Sequence, residues 1–193
     1  MKKIFLLIVL LGLCMALKPN SKKDEIVWSP NRKLTWKDFD KKLSKYAGEL
    51  AIAYTGINFN CSKPFNGLST KVSVYAFFLK SQSSKTSEAS VLDNERLGHE
   101  QGHFDIKEWY ARMFRKQILD TSFANLNQFY QIIAKKSRIV SKAANEEEDL
   151  YDKETNFAND TTMQTKWNKY IAEQLNAYAA YSQTEFVIRC GKK

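Results

Sequence analysis

The sequence predicts an α+β fold in which a small antiparallel sheet, formed by the N-terminal third, packs on a helical C-terminal part. Apolar residues alternate with small or polar ones between residues 50 and 78, which is the period of strands with one buried face. After residue 90 the chain contains no proline, and apolar residues recur at helical spacings of three and four. A chain of 193 residues with 44% hydrophobic content can bury one substantial core. We therefore expect a single domain over residues 17–193.

Residues 1–16 have the features of a signal peptide. Two lysines are followed by ten mostly apolar residues, and Cys14-Met15-Ala16 places small residues where a signal peptidase reads them. Ten residues are too few to span a bilayer as a helix, so we expect no stable membrane span after leader removal and a secreted or periplasmic protein. Lipidation at Cys14 is the alternative, although that reaction prefers a small residue where Leu13 stands.

The strands are predicted next along the chain. Thr35 and Asp38 form a capping pair that predicts a short helix. Alternation over residues 50–61 predicts a first strand with a bulge or bend at Gly56. A turn at 64–67 leads to a second alternating segment at 72–78, which we expect to pair antiparallel with the first.

Helices are predicted for most of the remaining chain. After a polar loop at 81–87, Ser90 and Asp93 form a second capping pair, and we expect a helix from about 91 to 119. Two later helices are indicated by apolar residues at helical spacing: Phe123, Leu126, Phe129, Tyr130, Ile133 and Val140 in one, and Met163, Trp167, Tyr170, Ile171, Leu175 and Tyr178 in the other.

Two shorter segments of the C-terminal half are an acidic run and an apolar pair near the end of the chain. The acidic run at 146–149 is interpreted as a solvated helix end or connection without a functional role. Val187 and Ile188 predict a last short strand.

The charge and the cysteines that remain after leader removal indicate which partners and which disulfide to expect. The formal charge is +9, or +7 without the two leader lysines, and the basic residues are spread along the sequence. Nucleic-acid binding would require a concentrated basic stripe, so we expect no nucleic-acid partner. Cys61 and Cys190 remain after leader removal, an even number that permits a disulfide in an oxidising compartment. Two buried thiols are the alternative.

The chemistry of the chain is concentrated in the segment LGHEQGHF, residues 97–104. His99 and His103 are four residues apart, so on a helix both imidazoles can point at a single ion. Neutral imidazole nitrogen suits zinc, and Glu100 between them can take a proton from a water as general base. Both histidines of the chain fall in this HExxH motif, which favours a zinc site over a hydrogen-bonded histidine pair.

The motif lies within a longer pattern that covers most of the mature chain. Its segments are Trp28-Ser29, Leu34-Thr35-Trp36-Lys37-Asp38-Phe39, residues 97–106, Arg112, Tyr151-Asp152, Glu154-Thr155, Gln164 and Trp167. The pattern resembles a bacterial family of predicted secreted zinc-dependent proteases, domain-of-unknown-function family 922. This resemblance implies a zincin-like domain, zinc as the cofactor, and a peptide or protein substrate.

One position departs from the pattern of that family. Its second block carries a His-Gly pair after the threonine, a natural third metal ligand, and this chain has Phe157-Ala158 there. A catalytic zinc usually has three protein ligands and a water. With no third histidine, the ligand must be a carboxylate or a thiolate. We expect Glu154, with Asp160 as the alternative, because each lies three residues from Phe157 and would share its face of a helix.

Two function classes follow from these observations. The first is a secreted zinc-dependent metallopeptidase-like hydrolase, with His99 and His103 as ligands and Glu100 as general base. It predicts that a carboxylate from residues 152–160 reaches the histidines. The second is a degenerate, non-catalytic protein of the envelope with a binding or scaffolding role. It predicts that Phe157 covers the histidines and that the acids point to solvent.

Overall fold

The computed structural model describes residues 24–43, 50–65, 67–87 and 93–191. The expected leader at 1–16, Asn66 of the predicted turn and the predicted capping residue Ser90 lie outside these ranges. Within them the fold is α+β, as the sequence predicts: antiparallel-rich N-terminal sheets pack against three C-terminal helices.

Seven strands and three α-helices occur in the described residues. In chain order they are β1 (Glu25–Val27), β2 (Lys41–Lys42), β3 (Ala51–Ile52), β4 (Thr55–Cys61), β5 (Ser69–Leu79), β6 (Ser84–Lys85), α1 (Asn94–Leu119), α2 (Leu126–Thr155), α3 (Thr161–Ala177) and β7 (Glu185–Arg189). Single 3-10 turns occur at Trp36–Asp38 and Ala179–Tyr181.

Strand β5 is the centre of the main sheet. One of its edges pairs antiparallel with β4 in the register Thr55↔Phe78 to Cys61↔Val72. Its other edge pairs antiparallel with β7 near its start and with β1 near its end. The alternation of β5 turns Val72, Val74, Ala76 and Phe78 inward, where they are fully buried. The predicted pairing and the predicted last strand are both confirmed.

The first predicted strand differs from the prediction in where it breaks. The interruption lies at Ala53–Tyr54, whereas Gly56 continues β4 and makes room for the ring of Phe77, which an added Cβ would approach to 2.6 Å. The residues before the break form β3, which belongs to a second sheet of order β2-β6-β3. Strand β6 lies in the predicted polar loop at 81–87, so this loop interpretation was wrong. A strand of two polar residues shows no alternation of apolar and polar side chains, so the sequence does not indicate it.

Helix α1 passes through the middle of the molecule, and 14 of its 26 residues are buried. Asp93 is itself the N-cap and accepts a hydrogen bond from the backbone N–H of Arg96, whereas the sequence predicts Ser90 as the cap and a helix that begins near residue 91.

The fully buried Arg115 connects α1 to β5, because its guanidinium donates to the carbonyl of Val74. The same guanidinium pairs with the buried carboxylate of Glu108, two turns earlier in α1. Each charge buried here is therefore paired, as a low-dielectric interior requires.

Helix α2 is longer than the sequence indicated. It continues from Leu126 through the acidic run to Thr155, so the interpretation of residues 146–149 as a helix end was wrong. Tyr151 and Thr155 extend the buried stripe of the first half of the helix. Helix α2 packs antiparallel on α1, since Asp152 lies beside His99 and Asn145 beside Lys107.

The two cysteines in the described residues, Cys61 and Cys190, are free thiols. Cys61 belongs to β4 and Cys190 directly follows β7, and these strands flank β5 on opposite edges. The sheet therefore keeps the two sulfur atoms apart, in agreement with the thiol alternative. Among the helices that the structure describes, none is long and apolar enough to cross a membrane.

The capping pair near the N-terminus generates a prediction on pH dependence. Asp38 is buried and accepts hydrogen bonds from the Thr35 backbone and from Arg32. Burial raises the pKa of Asp38, but these bonds outweigh burial and leave it below its usual value. A carboxyl whose pKa is lowered by folding stabilises the native state above its unfolded pKa and loses that effect as the pH falls.

We therefore expect Asp38→Asn to lower the free energy of unfolding by about 1 kcal/mol at pH 7, and by much less near pH 2. Urea unfolding followed by circular dichroism at both pH values measures the difference. An equal loss at both pH values would contradict the assignment of this contribution to the ionised carboxylate.

Candidate metal centre

Helix α1 brings the three residues of the HExxH motif to one place. The imidazole rings of His99 and His103 lie 4.9 Å apart between centroids and are nearly perpendicular. Both rings and the buried Glu100 line the same cavity, as the spacing of the motif predicts.

A third side chain, Asp152 of α2, lies between the two imidazoles. Its Oδ1 atom is 3.1 Å from Nε2 of His99 and 3.0 Å from Nε2 of His103. The three residues thus form a group that could hold a metal ion, with one ligand atom from each lying within 4.8 Å of the others. Around a tetrahedral zinc with bonds of about 2.0–2.2 Å, neighbouring ligand atoms are about 3.3–3.6 Å apart, so a bound ion would require these atoms to separate by a few tenths of an ångström. The observed separations are close to that range.

The carboxylate at the histidines is therefore Asp152, and neither of the two acids expected from the sequence takes this place. Glu154 accepts a hydrogen bond from the indole N–H of Trp167 in α3. Asp160 caps α3 by accepting one from the backbone N–H of Met163. Both acids are used in packing the two helices together.

The connection after α2 has an unusual backbone. Asn156, Phe157 and Ala158 have φ angles of 48°, 52° and 66°, in the left-handed region that side chains other than glycine rarely adopt. Asp160 N–H donates to the carbonyl of Thr155 across this turn. The turn reverses the chain within five residues and returns α3 along α2. Phe157 lines the cavity, and its side chain is 48% exposed rather than packed over the histidines.

Glu100 is held by the edge of the second sheet. Its Oε2 atom accepts a hydrogen bond of 2.7 Å from the backbone N–H of Ala53, at the break between β3 and β4. Burial raises the pKa of Glu100, and the nearby Asp152 adds to the rise, although the two histidines oppose it. The interrupted strand thus anchors one oxygen of the carboxylate, and Oε1 is left to accept a proton.

The ring nitrogens that face away from Asp152 also have partners. Nδ1 of His99 is 3.0 Å from Oε1 of Gln164, on α3. Nδ1 of His103 is 3.6 Å from Glu148 of α2, which in turn pairs with the buried Lys107 at 2.5 Å. Partners of this kind orient histidine ligands in metal sites.

The pKa values of the charged pair reflect this environment. Burial lowers the pKa of His103, but hydrogen bonding to Asp152 and Glu148 outweighs burial and raises it to about 10. Burial raises the pKa of Asp152, and its hydrogen bonds to the two histidines reverse this effect and leave it below its usual value. In the absence of a metal, the pair is therefore an ionised carboxylate beside an imidazolium.

The cavity above these residues has a volume of about 460 Å³. Apolar residues of β3 form one wall, and the left-handed turn forms another. The lining residues are Leu50, Ala51, Ile52, Ala53, Arg96, His99, Glu100, His103, Glu148, Asp149, Asp152, Phe157, Ala158 and Asn159. The ligand atoms are thus open to a molecule that enters this cavity.

Sequence reasoning placed the carboxylate within residues 152–160, which include Asp152, but it singled out Glu154 and Asp160, and it missed Glu148 as a neighbour of His103. The available signal was the buried stripe of α2, in which Val140, Ala144, Tyr151 and Thr155 recur at spacings of four and seven. Extending that stripe through the acidic run places Glu148 within it and Asp152 and Glu154 on its two flanks, so periodicity could have found Glu148 but could not choose between the other two acids.

The close approach of α2 to α1 generates a prediction. A Cβ atom at Gly102 would lie 2.2 Å from the hydroxyl of Tyr151, whereas a Cβ at Gly98, one turn earlier, would meet nothing within 4 Å. We expect Gly102→Ala to lower the free energy of unfolding by about 1–3 kcal/mol, because the helices must separate. The matched control Gly98→Ala should raise it by up to about 1 kcal/mol through helix propensity.

Urea unfolding of the two variants beside the parent chain measures both effects. If the two alanines had the same effect, the contact between Tyr151 and Gly102 would not limit the packing of α1 on α2.

The chain was compared with family models, with curated proteins and with solved structures. None of the three comparisons gave a match. The resemblance to family 922 therefore stays a prediction, and the function is argued from the geometry of the site.

Proposed function

We propose that the chain is a zinc-dependent hydrolase of peptide bonds, with His99, His103 and Asp152 as metal ligands and Glu100 as general base. The observation that carries the proposal is the position of Asp152 Oδ1, at 3.0–3.1 Å from both Nε2 atoms. Two imidazoles and one carboxylate are a common protein ligand set of catalytic zinc, which keeps a further position for water or substrate.

The chemistry of the donors supports zinc over the alkaline-earth cations. Magnesium and calcium prefer ligand sets made of oxygen atoms, whereas imidazole suits zinc and its transition-metal neighbours. Each histidine also has a separate partner at Nδ1, which is the usual arrangement when Nε2 binds a metal.

The charges around the histidines support a divalent cation. Glu100, Glu148 and Asp152 lie beside the imidazoles, and Lys107 pairs with Glu148. Two negative charges then have no buried lysine or arginine partner, and burial of unpaired charge is costly. In the metal-free protein, a proton on His103 supplies part of the missing positive charge. A divalent cation would supply all of it.

Glu100 is placed to move a proton. Zinc, when bound, would act as a Lewis acid that acidifies a water molecule and polarises a carbonyl group. The hydrogen bond from Ala53 fixes Oε2 of Glu100, and Oε1 would accept a proton from the attacking water. The same oxygen would then return the proton to the leaving amine.

The surroundings of Phe157 support the enzyme over the non-catalytic alternative. That alternative requires Phe157 to fill the space above the histidines and the acids to point to solvent. Instead, Asp152 faces both imidazoles and the Phe157 side chain is half exposed at the cavity wall. The leader predicted at 1–16 and the resemblance to secreted proteases support a peptide or protein substrate outside the cytoplasm.

The metal assignment is tested by two variants of α2 that carry the same chemical change. After purification without chelators and with zinc supplied, we expect about one zinc per parent chain. Asp152→Asn should lower zinc affinity by more than the roughly 10- to 100-fold that loss of an outer partner costs. Glu154→Gln, two residues away, should leave affinity unchanged. Elemental analysis and competition with a chromophoric chelator measure both.

Equal zinc affinity in the Asp152 variant and the parent would remove Asp152 from the metal site. Absence of zinc from the parent chain under these conditions would end the zinc-hydrolase proposal.

The role of Glu100 is tested separately. Glu100→Gln should retain zinc, because the side chain is not among the proposed ligands. It should lower the rate of peptide hydrolysis by about 10²- to 10⁴-fold, the usual contribution of a general acid–base group. Cleavage of a fluorogenic peptide mixture by the zinc-loaded chains measures the rates. A variant as active as the parent would exclude Glu100 as the base.

A further inference from the structure

Three helices meet behind His99, through the side chains of Gln164 and Tyr151. Gln164 extends from α3 and is 8% exposed, and Tyr151 of α2 is fully buried. The Tyr151 ring stacks on the imidazole of His99, with centroids 4.6 Å apart. Gln164 contacts both rings and also Asn168, one turn further along α3. The hydroxyl of Thr155 lies farther from the same ring nitrogen of His99, at 3.5 Å, so Gln164 at 3.0 Å is its nearer partner.

The hydroxyl of Tyr151 determines the direction of this network. Its oxygen is 3.1 Å from the carbonyl oxygen of His99, and a carbonyl can only accept, so the single phenolic hydrogen is donated there. The phenolic oxygen is then an acceptor for its other neighbour, the side-chain amide of Gln164, at 2.6 Å. The group that faces Tyr151 is therefore the NH₂ of Gln164.

The other contact of that NH₂ group agrees with this direction. Nε2 of Gln164 also donates to Oδ1 of Asn168 at 2.8 Å. A rotated amide would place its oxygen against two atoms that already act as acceptors, and the interaction would become repulsive. With the NH₂ group held on that side, Oε1 of Gln164 must face His99.

We propose that Gln164 is a positioning residue that holds His99 in the tautomer with hydrogen on Nδ1. Oε1 of Gln164 accepts this hydrogen across 3.0 Å, so Nε2 of His99 is the nitrogen whose lone pair is left for a cation held beside Asp152. Without a cation, Oδ1 of Asp152 is an acceptor 3.1 Å from the same nitrogen, so the assignment applies to the metal-bound protein. The inference rests on the proposed function in so far as Nε2 is a metal ligand. Gln164 thereby fixes which nitrogen is available to the cation, although it never contacts the cation itself.

The two histidines differ in this respect. His103 has the carboxylate of Glu148 near its Nδ1, whereas His99 has a neutral amide that is oriented by a tyrosine. Loss of Gln164 should therefore change His99 and leave His103 as it is. This difference within one protein makes His103 an internal reference for the experiment.

The test compares Gln164→Leu, which removes the acceptor, with Gln164→Glu, which retains one. A matched control, Gln131→Leu, makes the same change at an exposed position of α2. Proton–nitrogen NMR of the zinc-loaded chains reads the Nδ1–H groups of His99 and His103. Competition with a chelator reads the affinity for zinc alone.

We expect the zinc-loaded parent and the control to show a His99 Nδ1–H proton that its hydrogen bond shifts downfield and protects from exchange with water. Gln164→Leu should lose this shift and protection and bind zinc 10- to 100-fold more weakly, the usual effect of removing an outer partner. Gln164→Glu should restore the hydrogen-bonded proton and most of the affinity, because the hydroxyl of Tyr151 can turn to donate to the new oxygen. Retention of both the protected proton and the parent affinity in Gln164→Leu would overturn the proposal.

A second variant covers the case in which Gln164→Leu does not fold. Tyr151→Phe removes only the hydroxyl that orients the amide, and it should reduce the protection of the His99 Nδ1–H proton and lower zinc affinity in the same direction. An unchanged proton signal and an unchanged affinity there would equally overturn the proposal. The zinc content of the parent tests the proposed function, whereas the difference between variants and parent tests the role of Gln164, so the two failures are distinguishable.

Discussion

The packing of α2 against α1 at Gly102 and Tyr151 is the contact on which the rest of the site depends. Because Gly102 has no side chain, the Tyr151 ring can lie directly against α1, and this sets both the distance and the rotation of α2. Asp152 follows Tyr151 and consequently faces the histidines, while Thr155, one turn later, is buried in the same interface. The cavity, the positions of Glu148 and Asp152 beside the histidines, and the contact of α3 with His99 all depend on this close packing of α2 on α1.

The local part of the site could be predicted from the sequence, and the non-local part could not. His99, Glu100 and His103 share one helix, so their spacing alone determines which of them can act together. The third carboxylate depends on how a second helix is rotated, at about 100° per residue. Glu154 lies two residues after Asp152, or about 200° around α2, and it faces Trp167 instead.

The fold shows the same division between local and non-local information. The pairing of β4 with β5 and the three helices follow from periodicities in the sequence. The break at Ala53 does not, because the backbone N–H there is satisfied by Glu100, a partner 47 residues away. The acidic run was misread for a related reason. Glu148 is acidic, but it lies against His103 and Lys107 of the neighbouring helix.

The left-handed turn after α2 has a consequence for the length of the connecting chain. Connections between helices usually tolerate insertions and deletions, since they lie at the surface and few contacts depend on their length. Here the five residues from 156 to 160 fix the rotational phase of α3 relative to α2. One added residue would disrupt the left-handed turn and the hydrogen bond from Asp160 to Thr155 that set this phase, and α3 would have to pack differently. Gln164 would then leave His99 while every proposed metal ligand stayed in place. This surface connection is thus constrained in length, and its side chains are restricted too, by the left-handed φ angles, the burial of Ala158 and the cap that Asp160 forms.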